Sequence, residues 1–146
     1  MDKFSKKVRA EFINAFPEWE KFCSIAMDEG EEVLSVKIPS PSRGEKFPLS
    51  LDTCQSEVTV AFDAYHAHFN DFINPEGYDA ISFINELISS DNAVVSYWRD
   101  DKWCGSTMLP ASNLPTSNEE YPYANLIKIR SWSGSCDNEI QCTSKD

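Results

Sequence analysis

The stretch "VLSVKI", Val33 to Ile38, decides the fold class. Leu34, Val36 and Ile38 alternate with Ser35 and Lys37. Successive side chains on a strand point to opposite faces, so this run buries one face of a sheet and gives the other to water. A helix would scatter the same three apolar residues around its axis. The pattern returns in "FPLSL", where Phe47, Leu49 and Leu51 alternate with Pro48 and Ser50. It returns again in "VTVAF", where Val58, Val60 and Phe62 alternate with Thr59 and Ala61. Three short strands are predicted, the first two joined by the flexible "PSPSRGEK". Pro48 has no N–H to give a ladder, which marks its strand as an edge candidate.

Upstream, the period changes. Phe4, Val8 and Phe12 recur every four residues beside Ile13, which predicts a helix capped by Asp2 or Ser5. Pro17 interrupts it and can open a second helical piece. Trp19, Phe22, Cys23 and Ala26 keep helical spacing there, and "DEGEE" is read as its end, with Gly30 as the stop. Downstream, "NPEGYD" is a loop, and Asp79 caps a helix whose stripe is Ala80, Ile81, Ile84, Leu87 and Ile88. "AVVSYW" and "WCGSTML" flank "RDDK" as a hairpin. "PASNLPTSNEEYP" is a loop of turn formers, and "YANLIKIRSW" is a last strand. Residues 134–146 are polar and read as a loose tail.

Hairpins dominate and no βαβ series occurs. The expected class is α+β, an antiparallel sheet of five or six strands with helices on one face. A length of 146 residues fits one domain, 1–146. No apolar run approaches the roughly 18 residues of a membrane span. "MDKFSKKVRAEF" lacks the apolar stretch of a signal peptide, so a cytoplasmic address is expected. Cys23, Cys54, Cys104, Cys136 and Cys142 form an odd set without C-x-x-C spacing. They read as reduced, mostly buried thiols.

Charge narrows the function classes. The net charge is −11. Residues 1–22 hold five basic and four acidic groups, whereas residues 23–121 hold five basic and 17 acidic. Nucleic acid needs a basic footprint and is not expected as a ligand. An acidic surface instead steers a basic partner.

The chemistry-bearing residues concentrate in "FDAYHAHFND", Phe62 to Asp71, which holds both histidines of the chain. His66 and His68 share one strand face, a ligand-like spacing, with Asp71 three residues on. A catalytic zinc needs three protein ligands and an open position, and no third histidine exists. No metal and no other cofactor is expected. Cys104 could pair with His66 or His68 as a nucleophile, but it falls inside a predicted strand, where a small thiol is ordinary packing. No G-x-S-x-G, phosphate loop or dinucleotide fingerprint occurs. Recognition is the third possibility. Asp63, Tyr65, His66, His68 and Asp71, with Trp98, Asp100, Asp101 and Trp103 around the "RDDK" turn, set rings among carboxylates. Rings supply contact area at low entropy cost, and acids supply steering and register.

The run "EVTVAFDAYHAHFNDF", an amphipathic helix and then "VVSYWRDDKWCGSTML" resemble bacterial immunity proteins of polymorphic-toxin and contact-dependent growth-inhibition systems. The resemblance spans roughly residues 55–110. It implies a small cytoplasmic protein, not an enzyme, that neutralises a cognate toxin domain. Many such toxins are basic nucleases, which fits an acidic inhibitor. The nine residues above are then partner-binding candidates, and the chain is expected as a monomer or weak dimer without membrane contact. The alternative is a small cytoplasmic hydrolase using His66 or His68.

Overall fold

The computed structural model describes residues 1–145 and is α+β. The chain divides into two compact units: residues 1–62 with 66–85, and residues 63–65 with those from 86 onward. Each unit is built on its own antiparallel sheet, one of five strands and one of four. The expected class and pairing sense hold. The strands are shared between two sheets where the sequence pointed to one.

In the first unit, helix α1 (Lys3–Ala15) is followed by a 3-10 turn (Pro17–Phe22). Strands β1 (Cys23–Asp28), β2 (Glu31–Ser40), β3 (Gly44–Asp52), β4 (Val58–Phe62) and β5 (Tyr65–Phe69) come next. They pair in simple sequence order, β1-β2-β3-β4-β5. The alternation read from the sequence is real: Leu34, Val36, Ile38, Leu49, Leu51, Val60 and Phe62 are all buried. The register confirms a common face, with Val36 opposite Leu51, Ile38 opposite Leu49, and Leu49 opposite Phe62. Helix α1 packs on β2 and buries Val8 and Phe12. Its first turn is closed by Asp2, whose carboxylate accepts the Ser5 N–H at 2.7 Å. Ser5 in turn shares a 2.6 Å hydrogen bond with the buried Thr53 hydroxyl, which accepts the Leu34 N–H at 2.9 Å.

Two local readings are corrected. Cys23–Asp28 is a strand, not the end of a helix. Pro17 starts a 3-10 turn that stops at Phe22, and Glu29 and Gly30 both adopt positive φ, 50° and 83°. Two successive left-handed residues form the tight hairpin turn whose twist matches paired strands. "DEGEE" therefore reverses the chain and pairs β1 with β2 from Cys23–Val36 to Asp28–Glu31. Replacing Gly30 by Ala adds a Cβ that meets nothing within 4 Å, so the cost is backbone strain alone. A loss of about 1 kcal/mol is expected, read as a lower urea midpoint at unchanged slope. The second correction concerns Pro48. Strand β3 lies inside the sheet, between β2 and β4. Pro48 is tolerated because the β2–β3 register shifts between Ile38 and Ser40, and the β3–β4 pairing begins only at Leu49.

Helix α2 (Ala80–Ile88) is capped as expected. One oxygen of the buried Asp79 carboxylate accepts the Ser82 N–H at 3.0 Å and hydroxyl at 2.6 Å, and the other accepts the Asn74 N–H at 2.7 Å.

The second unit holds β6 (Asn92–Arg99), β7 (Lys102–Pro110), β8 (Leu126–Arg130) and β9 (Asn138–Gln141), in the order β7-β6-β8-β9. Its core is Ala93, Val95, Ile127 and Ile129, with Tyr97, Leu109, Leu114 and Ile140 packed against them. The segment read as a loose tail is thus partly a strand. Ile140 pairs with Ile127, and the Cys142 N–H donates to the Asn125 carbonyl at 2.9 Å. A strand this polar is exposed on most positions, which hid its period of two. Asp146, the last residue of that segment, lies outside the described residues. No helix among the described residues is long and apolar enough to cross a membrane.

Candidate functional site

The hairpin β6–β7 carries the most developed surface of the second unit. Its turn is Asp100–Asp101, with φ of 50° and 67°, again two left-handed residues in succession. Aspartate is among the few L-residues that enter this region readily. The tip is tied down by Asn125. Its side-chain NH₂ donates to the Asp100 carboxylate at 2.9 Å, its side-chain oxygen accepts the Asp100 N–H at 3.2 Å, and its backbone N–H donates to the Trp98 carbonyl at 2.9 Å.

A bulge sets the aromatic pair. Tyr97 faces Gly105 and Trp98 faces Trp103, so Cys104 is the extra residue of β7. Bulges re-aim side chains near functional surfaces. Each indole then donates to a serine of its own strand: Trp98 to Ser96 at 2.8 Å, Trp103 to Ser106 at 2.7 Å. The two serines are cross-strand partners. The Lys128 ammonium sits 4.5 Å from the Trp98 ring centroid. Trp98 is consequently built into the sheet, whereas Trp103 is 55% exposed.

A second aromatic group was missed in the sequence. Tyr97, Leu109, Leu114 and Pro115 line a groove of about 480 Å³ with Glu119 and Glu120 at its border. Tyr121 lies 5.2 Å from Tyr97 and 6.3 Å from Tyr123, ring centre to ring centre. The Arg99 guanidinium covers Tyr123 at 4.2 Å. Tyr121 and Tyr123 are 36% and 48% exposed. Burial, and then the Glu120 charge, push the Tyr97 phenol above its ordinary range. The loop is held from within by Asn118, whose side-chain NH₂ donates to the Ala124, Thr143 and Pro122 carbonyls at 2.7, 3.0 and 3.2 Å. "EEYPY" reads as a polar turn. The available signal was two tyrosines in a segment otherwise made of turn formers.

The nine candidates fall into two sets. Asp63, Tyr65, Trp98, Asp100, Asp101 and Trp103 belong to the second unit, and His66, His68 and Asp71 to the first. Tyr65 opens β5, so the histidines lie on an edge strand. Asp63 is in the β4–β5 turn with φ of 53°. His66 and His68 do share a face, their rings 5.0 Å apart and edge to face. The Nδ1 of His68 is 2.8 Å from the Thr59 hydroxyl and 3.1 Å from a Glu57 carboxylate oxygen. Asp71 lies 3.9 Å from the Lys7 ammonium. Among the described residues, no group of three or more His, Cys, Asp or Glu side chains is placed to hold a metal ion.

All five cysteines are free and partly exposed, where the sequence reading had them mostly buried. Cys104 donates to the Lys102 carbonyl at 3.4 Å, within the bulge. Cys54 is the most perturbed thiol. Desolvation first, then its hydrogen bond to Asp52 and the Asp52 and Asp28 charges, push it up to about 11. It stays protonated and slow at neutral pH, since the thiolate is the nucleophile. Site-resolved mass spectrometry after iodoacetamide treatment at pH 8.5 is expected to find Cys54 the least modified. Asp52→Asn is expected to raise its labelling rate. Equal labelling of Cys54 in both proteins would contradict the contribution assigned to Asp52.

No protein-family model matches the chain, and no curated protein or solved structure does either.

Proposed function

We propose that this chain is an immunity-type binder that docks a basic toxin domain around the β6–β7 hairpin, with Trp103 on one face of its sheet and the tyrosine groove on the other, covering the toxin's active or substrate-binding surface. The observation that carries this is the exposure of Trp103, Tyr121 and Tyr123 on a hairpin and loop fixed by hydrogen bonds. Glu119 and Glu120, both exposed, border the groove, and the exposed Asp101 stands in the hairpin turn two residues before Trp103. Rigid rings bind with little entropy loss, and surrounding carboxylates orient a cationic partner. The excess of acids in residues 23–121 adds long-range attraction, screened beyond about 8 Å at physiological salt.

The reading expects a toxin domain encoded beside this gene, and surface plasmon resonance against that domain tests it. Raising salt is expected to lower the association rate steeply and to change dissociation little. Neutralising Asp101, Glu119 and Glu120 is expected to imitate added salt. Trp103→Ala is expected to speed dissociation, at a cost of about 2 kcal/mol if the ring is an anchor. Association that ignores salt, together with unchanged dissociation in Trp103→Ala, would remove this surface from the interface.

A further inference from the structure

The first unit leaves one sheet edge unusually open. Strand β1 ends the five-stranded order. Between Ser24 and Met27 it makes no backbone hydrogen bond outside its pairing with β2 among the described residues. Edge strands are ordinarily guarded by lysine, proline, a bulge or a covering loop, because unpaired N–H and C=O groups invite another strand. "SIAM" has no charge and no proline. Instead Ile25 and Met27 stand 59% and 65% exposed. The opposite edge, β5, places the exposed His66 and His68 there.

Charge around this edge is divided in a particular way. Ile25 pairs with Leu34 and Cys23 with Val36, so the odd residues of β1 lie on the buried face of the sheet, on the side of α1. There a groove of about 630 Å³ runs beside the strand, lined by Cys23, Ile25, Lys6, Arg9, Ala10 and Met1. The Lys6 ammonium has no ion-pair partner among the described residues. Arg9 is 4.0 Å from Glu20, and the α-amino group is 3.2 Å from Glu32. The other end of β1 is acidic: Asp28, Glu29, Glu31 and Glu32 surround the turn. The strand therefore runs from a basic groove to an acidic hairpin tip, with uncharged residues between.

We propose that β1 pairs antiparallel with β1 of a second copy, joining two five-stranded sheets across a two-fold axis at Ala26. In that register Ser24 faces Asp28 of the second copy, and Ile25 faces Met27. The two apolar side chains fall on the same face and cover each other, once on each side of the axis. The acidic turn of each copy, led by Glu29, comes beside the Lys6 and Arg9 groove of the other. A two-fold interface must be self-complementary, and a strand with opposite charges at its two ends satisfies that requirement when it runs against itself. This pairing is independent of the toxin reading, because it uses neither the β6–β7 hairpin nor the tyrosine groove.

Sedimentation equilibrium of the full chain is the test. A dimer with a dissociation constant of ~10–100 µM is expected. Met27→Lys, on an exposed side chain that leaves the monomer fold intact by circular dichroism, is expected to abolish it. Lys6→Glu is expected to weaken it by about tenfold or more, since the acidic turn then meets like charge. The double variant Lys6→Glu, Glu29→Lys is expected to recover the affinity. A wild type that stays monomeric at ~1 mM, or a dimer indifferent to Met27→Lys, would overturn the proposal. A charge-swapped variant no tighter than Lys6→Glu alone would overturn the assigned register.

Discussion

Phe12→Ala is expected to destabilise the protein by about 4 kcal/mol, the range for removing a fully buried ring. Phe12 is 0% exposed. Its ring centre lies 5.6 Å from Phe16, 6.2 Å from Trp19 and 5.9 Å from Phe72. Phe16 and Trp19 also stack on each other at 4.7 Å. One side chain thus holds α1, the following 3-10 turn and the chain after β5 to one point. Truncation loses the transfer energy of the ring and leaves a cavity that these rigid neighbours cannot fill. The total stability of a domain this size is about 5–15 kcal/mol, so a large share is at stake. Urea unfolding followed by tryptophan fluorescence measures it. A loss below about 1 kcal/mol would mean that the cluster collapses into the space or that Phe12 is not where the core closes.

Asp79→Ala is expected to cost about 2 kcal/mol at pH 7. The carboxylate caps α2 and pins the preceding loop at once, so both ends of a capping interaction are lost together. Burial alone would raise its pKa. The hydrogen bonds from Asn74 and Ser82 outweigh burial and hold it below the ordinary carboxylate range. A depressed folded-state pKa stabilises above the unfolded value of about 4, and the contribution disappears as pH falls through the folded value. The gap in stability between wild type and Asp79→Ala is therefore expected to be full at pH 6–7 and to shrink as pH falls below about 4. A gap that widens on acidification would show that the charged form is not the one the site favours.

Most of the first unit was legible because its strands bury one face only. Leu34, Val36 and Ile38 could not be mistaken for a helix, and Asp2 and Asp79 are caps whose chemistry is local. Strand β1 was not legible, since Trp19, Phe22, Cys23 and Ala26 match helical spacing by coincidence and an edge strand exposes the apolar side chains that would have shown alternation. Only Gly30 carried the signal, and a glycine after a helically spaced run has two readings, a C-terminal stop or a left-handed hairpin turn. Strand β9 was hidden for a related reason, being short, polar and ordered by pairing with β8. The site followed the same rule. Trp98 and Trp103 can be singled out in the sequence as candidates because they flank a visible turn, whereas Tyr97, Tyr121 and Tyr123 meet only through the fold.

Growth rescue tests the immunity reading most directly. The reading expects a toxin domain encoded beside this gene, and cells expressing that domain are grown with and without this chain. Growth is expected to return with the wild type and to fall markedly with Trp103→Ala carrying Asp101→Asn and Glu120→Gln, at equal protein level. Cells that die despite abundant folded wild-type protein would contradict the reading.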